Sequence, residues 1–352
     1  MPKVSNPPDS VSMTGGAGPR KSFAAQLLAS RETSVLAVLL LLIVGMAFTS
    51  VSSKFFSSAN LQQMAFQVAL LSIFAIGETI VIISGGIDLS LGSLIAFSGM
   101  MLAFLVNRFD SSHMYTAAAV GLAIAVTLLA SWLIGATHTM LIQRVRLPAF
   151  VVTLTSLLVL RSQSLIMNHH QQIPVDQERF PLFNWLTNGK LFSGAAYAIP
   201  IPVLIMLVVA VAAHLVLSKT RMGRYLYSIG SNEQATMLSG VNVFKVKLFA
   251  YGASALLGGI AGVLYMGYGG QGDPSAGASY ELDAVAAAVV GGASLAGGQG
   301  SVMGTVLGAC LLNAILSVIL LKLDQPDIWR GTIVGGVLLV AVLATAFQQR
   351  KR

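Results

Sequence analysis

The chain has 352 residues, of which 55% are hydrophobic and only 10% charged. Its mean hydropathy is +0.78, and soluble domains carry about 25% charged residues. Apolar runs long enough to cross a bilayer recur from end to end, which excludes a soluble enzyme or nucleic-acid-binding domain and points to an all-α, polytopic helical membrane protein. The alternating pattern of a membrane β-barrel is absent. The single cysteine, Cys310, lies in an apolar run and forms no intrachain disulfide.

Residues 1–33 are rich in Pro, Ser and Gly and read as a disordered cytoplasmic tail. Residues 34–347 read as one transmembrane domain, and 348–352 as a basic cytoplasmic end. No hydrophilic domain follows the first apolar run, so it is expected to be an uncleaved helix. Ten spans are predicted, at about 34–51, 62–83, 89–106, 114–136, 148–167, 198–217, 246–268, 280–297, 302–321 and 329–347. With both termini inside, inner segments carry fourteen Lys and Arg and outer loops six, as the positive-inside rule requires. The net charge of +8 is then loop charge and calls for no nucleic acid.

The joint between the second and third runs reads Gly85-Gly86-Ile87-Asp88-Leu89-Ser90-Leu91-Gly92-Ser93. A carboxylate at membrane depth is costly and faces a cavity or partner. Asp88 or Ser90 therefore either caps the next helix or borders a polar path. Glu78 is a second acid in the preceding run. It lies ten residues from Asp88 across a helix and a turn, and nothing in the sequence brings the two together. Arg161 lies about two turns from the outer end of its span, placed to snorkel outward or to neutralise a membrane acid. The outer loop 168–197 contains His169 and His170, without the spacing of a zinc site.

The one long inner loop is Thr220–Val241, within a polar segment 218–245. Ser231 with Gln234 matches a capping box, so a short helix should start there and end at Gly240. Asn232 and Glu233 fall in its first turn, and Glu233 is expected to be exposed and free for a basic partner. Arg221, Gly223 and Arg224 precede it. Farther on, Gly291-Gly292-Ala293-Ser294-Leu295-Ala296-Gly297-Gly298-Gln299-Gly300-Ser301 resembles the first joint with two residues inserted, which suggests a parallel internal repeat. Gly258, Gly259, Gly262, Gly304 and Gly308 read as packing positions.

Three stretches carry a family resemblance: Ser84–Ser93; Leu147-Pro148-Ala149-Phe150-Val151-Val152-Thr153-Leu154 with Leu160-Arg161; and Thr220–Val241. Glu281-Leu282-Asp283-Ala284 and Val290-Gly291-Gly292 add to it. Over about 35–347 the chain resembles the permease subunits of bacterial ATP-binding-cassette importers for simple sugars of the ribose, xylose and galactose type. Ser162 departs from the glycine often found after the arginine in that family.

The resemblance implies a pair of permease chains in the inner membrane, a cytoplasmic ATPase subunit and a periplasmic sugar-binding protein. It implies no cofactor for this chain. It makes the Ser231–Gly240 helix the element that couples to the ATPase, and places Asp88 and Ser90 near the path, with Glu78 and Arg161 as further candidates. The chain itself lacks a phosphate-binding loop and any catalytic set. The alternative is an ion- or proton-coupled transporter using Asp88, Glu78 and Arg161 as a relay.

Overall fold

A computed structural model describes residues 31–111, 117–192 and 197–350. The expected tail over residues 1–30 and the last two residues of the basic end lie outside the described residues. The helices are α1 (Arg31–Ala47), α2 (Ser52–Phe55), α3 (Ser58–Ile83), α4 (Leu91–Ser111), α5 (Ala117–Gln143), α6 (Ala149–Ile166), α7 (Pro181–Asn188), α8 (Ile201–Lys219), α9 (Arg221–Ser231), α10 (Glu233–Leu238), α11 (Val243–Gly269), α12 (Tyr280–Val290), α13 (Val302–Lys322) and α14 (Pro326–Arg350).

Among the described residues, seven helices have the length and apolarity to cross a membrane: α3, α4, α5, α6, α8, α11 and α13. Two shorter apolar helices, Glu32–Ala47 and Ile328–Leu343, occupy the first and last predicted runs. The count of ten full spans is therefore not confirmed. The clearest departure is 280–297, where α12 has 11 residues. At 1.5 Å per residue that is about 16 Å, half the bilayer core. Gly291 and Gly292 end it, the latter at φ 100°.

The most buried spanning helix is α3, with 89% of its apolar window inside the protein against 22% for α6. It packs against α11, α13, α12 and α8, while α11 also packs on α5 and α4. The small residues permit this closeness. A Cβ at Gly258 would press on Leu91 and Leu94, and one at Gly308 on the carbonyl of Ala287. Gly262 faces Ser98 and the Ile95 carbonyl in the same way. The packing role read for these glycines holds. Leucines and valines on α5, α6 and α8, such as Leu129, Val159 and Val208, remain exposed, as a lipid-facing shell requires.

Two short ribbons pin the long loop before α8. Ile173–Pro174 pairs antiparallel with Gln271–Gly272, and Lys190–Leu191 pairs with Ile199–Pro200. His169 and His170 lie on this segment with exposed side chains. Among the described residues no group of side chains has the make-up of a metal site.

Candidate functional site: a glycine junction and a buried polar cluster

Both glycine-rich joints close their helices by one hydrogen-bond pattern. At the end of α3, Gly85 N–H donates to Ile82 O at 2.9 Å and Gly86 N–H to Val81 O at 3.0 Å. At the end of α12, Gly292 N–H donates to Val289 O and Ala293 N–H to Ala288 O, both at 2.9 Å. Each is a Schellman closure on a left-handed glycine, with φ 80° at Gly85 and 100° at Gly292. The returning helices match too: Leu94 N–H bonds Ser90 O, and Thr305 N–H bonds Ser301 O. The two joints thus share one backbone closure, a common helix end. This closure pairs Gly85 with Gly292, one residue off the alignment read from sequence. Thr79 and Thr305, one beside each joint, share a hydroxyl–hydroxyl hydrogen bond of 2.6 Å.

The Gly85–Ser90 segment folds back onto α3, and this overturns the expectation that Glu78 and Asp88 stay apart. Asp88 N–H donates to both carboxylate oxygens of Glu78 at 3.2 Å. The Asp88 carboxylate accepts from Ser90 N–H at 3.1 Å, from the Ser90 hydroxyl at 2.6 Å, and from the Ser254 hydroxyl of α11 at 3.0 Å. Glu78, Asp88, Ser90 and Ser254 have no exposed surface. Asp88 therefore braces its own turn and ties it to α11. Thr153 of α6 donates to Ile87 O at 3.2 Å. The Tyr251 hydroxyl is buried, without a hydrogen-bond partner among the described residues, and occupies the space beside Gly86. Arg161 is separate from this cluster. Its guanidinium donates to Pro274 O at 2.9 Å and Ala276 O at 2.8 Å, tying α6 to the stretch before α12. It does not reach Asp88.

The loop after α8 holds two helices where one was expected. Thr220 caps α9 by accepting from Gly223 N–H at 3.2 Å. Met222, Leu226 and Ile229 turn inward at helical spacing and join an apolar cluster with α3, α8 and α11. Gly223 packs on the carbonyls of Val216 and Leu217, while Arg221 and Arg224 are exposed. The capping box on Ser231 is corrected. Ser231 ends α9, its hydroxyl donating to Tyr227 O, and Asn232 caps α10 by accepting from Ala235 N–H at 2.9 Å. Asn succeeds because its carbonyl reaches the same orphan amides and its extended backbone breaks α9 from α10. Gln234 is exposed. Gly240 closes α10 at φ 84°, donating to Met237 O at 3.0 Å. Leu238 stands 85% exposed and Met237 58%.

Glu233 is not free. Its carboxylate lies 3.5 Å from Lys247 Nζ, with the Gln143 amide at the same distance. Lys247 is 4% exposed and donates to Ser84 O at 2.7 Å. Ser84 caps the end of α3, so one side chain links α10 to the first joint. Backbone contacts complete the junction. Gly298 N–H donates to Ile83 O at 2.9 Å, and the Tyr227 hydroxyl to Gly300 O at 2.9 Å. Gly230 of α9 sits between them. A Cβ on it would strike Ile83 O and Gly298 N, and one on Gly297 would lie 3.0 Å from Gly85 Cα. Both joints thus meet the loop helices at backbone-to-backbone distance.

Residues 60–343, more than half of the chain, match the family described as branched-chain amino acid transport system / permease component. The chain belongs to that family. This permease is 35% identical to the ribose import permease protein RbsC of Escherichia coli K12, over 92% of its own length and 96% of the relative's. It is 34% identical to the Haemophilus influenzae protein of the same name, over 93% and 96%. It is 31% identical to the xylose transport system permease protein XylH of Haemophilus influenzae, over 92% and 99%. No solved structure matches it. Sequence reasoning missed Lys247, Ser254 and Tyr251 in the permease because each meets the first joint from a helix remote in the chain: Lys247 at Ser84 O, Ser254 at the Asp88 carboxylate and Tyr251 beside Gly86. The available signal was a lysine inside an apolar helix.

Proposed function

We propose that this permease forms the path of an ATP-binding-cassette importer carrying a monosaccharide or similar small polyol across the inner membrane of a bacterium. The observation that carries this reading is its full-length similarity to permeases named for ribose and xylose. ATP hydrolysis falls to a separate subunit docked on α9 and α10, where the exposed Leu238 and Met237 offer an apolar knob and Arg221 and Arg224 a basic rim. This makes the junction end cytoplasmic, with both termini on that side. A periplasmic binding protein delivers cargo at the other end, and a second permease chain completes the path. Asp88, Ser90 and Glu78 hold the turn that borders it, and Arg161 holds its outer wall.

The test is reconstitution of the permease with an ATPase and a binding protein from the same operon in proteoliposomes. ATP-dependent uptake of D-ribose, D-xylose or D-galactose is expected. Uptake driven by an ion gradient without ATP would refute the importer and favour the coupled transporter. Reporter fusions at 235–240 should read as cytoplasmic and those at 168–172 as external.

A further inference from the structure

Away from the junction, α3, α12, α13 and α14 line an open cavity of about 340 Å³. That lies at the small end of ligand pockets, roughly 300–1,000 Å³. Its lining includes Asn60, Gln67, Tyr280, Asp283, Asn313 and Arg330. Asn60 stands 23 residues before Ile83 on α3, so the cavity mouth is about 35 Å from the junction at 1.5 Å per residue.

The chemistry of this lining is specific. Arg330 and Asp283 pair, so the two charges cancel. Arg330 also lies over the Tyr280 ring, 5.1 Å from its centroid. The Asn313 amide donates to Gln67 Oε1 at 3.2 Å. Asn313 is 4% exposed, and its Oδ1 has no hydrogen-bond partner among the described residues. A buried amide oxygen left open on a cavity wall costs free energy unless something donates to it. Gln63 and Gln67 are exposed near the start of α3, where their side-chain carbonyls accept from the Tyr268 hydroxyl and the Asn313 amide.

We infer that this cavity is a receiving site for an uncharged polyhydroxylated solute, with Asn313 Oδ1 accepting from one hydroxyl and Gln67 and the Asp283–Arg330 pair bonding others. This rests on the sugar-import reading and gives it a place in the chain. The balanced pair disfavours a cargo with a net charge, because one partner of the pair would be left opposed; rejection of a zwitterion rests on the amides. Amides aligned on both walls suit hydroxyls, and a site built to bond hydroxyls rejects solutes that lack them.

The test uses the reconstituted complex and a panel of D-ribose, D-xylose, D-galactose and L-leucine. Asn313→Leu removes the open buried acceptor together with the bond to the exposed Gln67, so a purely structural Asn313 would leave folding and uptake near those of the wild type. The inference expects sugar uptake per ATP to fall about tenfold, the size of one lost hydrogen bond to a buried group, with recovery in Asn313→Gln. Gln67→Leu, at an exposed position, should lower it as well. In a Cys310→Ala, Asn313→Cys protein, the carried sugar should slow labelling by a methanethiosulfonate reagent and leucine should not. If the wild-type complex carries a sugar but both leucine variants do too, and labelling is unprotected, the cavity assignment is overturned alone. If the wild type carries leucine and no sugar, the sugar reading fails and takes the polyol assignment with it.

Discussion

Replacing Lys247 by Met should disconnect α10, the proposed coupling helix, from the first joint. Lys247 Nζ bonds Ser84 O at 2.7 Å while 4% exposed. A hydrogen bond from a charged donor contributes about 1.5–3 kcal/mol. The pair with Glu233, whose side chain is 47% exposed, adds about 0.2–1 kcal/mol, since water screens it. Met keeps the stem's volume, so the loss is polar. Setting the link at about 2 kcal/mol gives a roughly 30-fold fall in coupling if the link biases one conformation over another. The assay is a reconstituted complex scored for binding-protein-stimulated ATP hydrolysis and for sugar uptake per ATP. Glu233→Gln supplies the second edge of a double-mutant cycle. If Glu233 acts through Lys247, it should lower uptake per ATP in the native background and change nothing more in Lys247→Met. A folded Lys247→Met protein with uptake per ATP within twofold of wild type would refute the link.

Gly230→Ala should cost more than its size suggests. The added methyl meets Ile83 O and Gly298 N, and overpacking costs about 1–3 kcal/mol; thermal unfolding in detergent should show a lowered midpoint. Asp88→Ala strands the Ser90 and Ser254 hydroxyls at about 1–3 kcal/mol each, so folded yield should fall with uptake, whereas Asp88→Asn, which keeps an acceptor oxygen, should retain most of both. Leu238→Ser should leave folding within about 0.5 kcal/mol, as exposed changes do, and should weaken co-purification with the ATPase subunit.

Apolar length made most of the helices legible, because bilayer thickness alone sets that requirement. The break inside 280–297 was written in Gly291 and Gly292, but a glycine pair reads equally as packing. Helix α9 was also legible in principle. Met222, Leu226 and Ile229 follow helical spacing, yet the polar residues between them resemble a loop. Asp88 and Ser90 were visible as chemistry, while their partners were not. Glu78 approaches only because Gly85 takes a left-handed φ and turns the chain back. Lys247 finds Ser84 across 163 residues, a pairing that no local pattern encodes. Ser231 shows the limit of motif reading. Its spacing fitted a cap, but the adjacent Asn232 took the position.

The contact at Gly230 has a consequence for how such a machine can be adapted. Where Gly85, Gly230 and Gly297 meet, the touching atoms are main chain. A main-chain contact passes on displacement and carries no information about which solute is aboard. The lining at the far end of α3 can therefore be rebuilt for another cargo without retuning the end that receives the push. On the proposed reading, the end that receives the push and the end that selects the cargo are modular, joined by a rod of 26 residues.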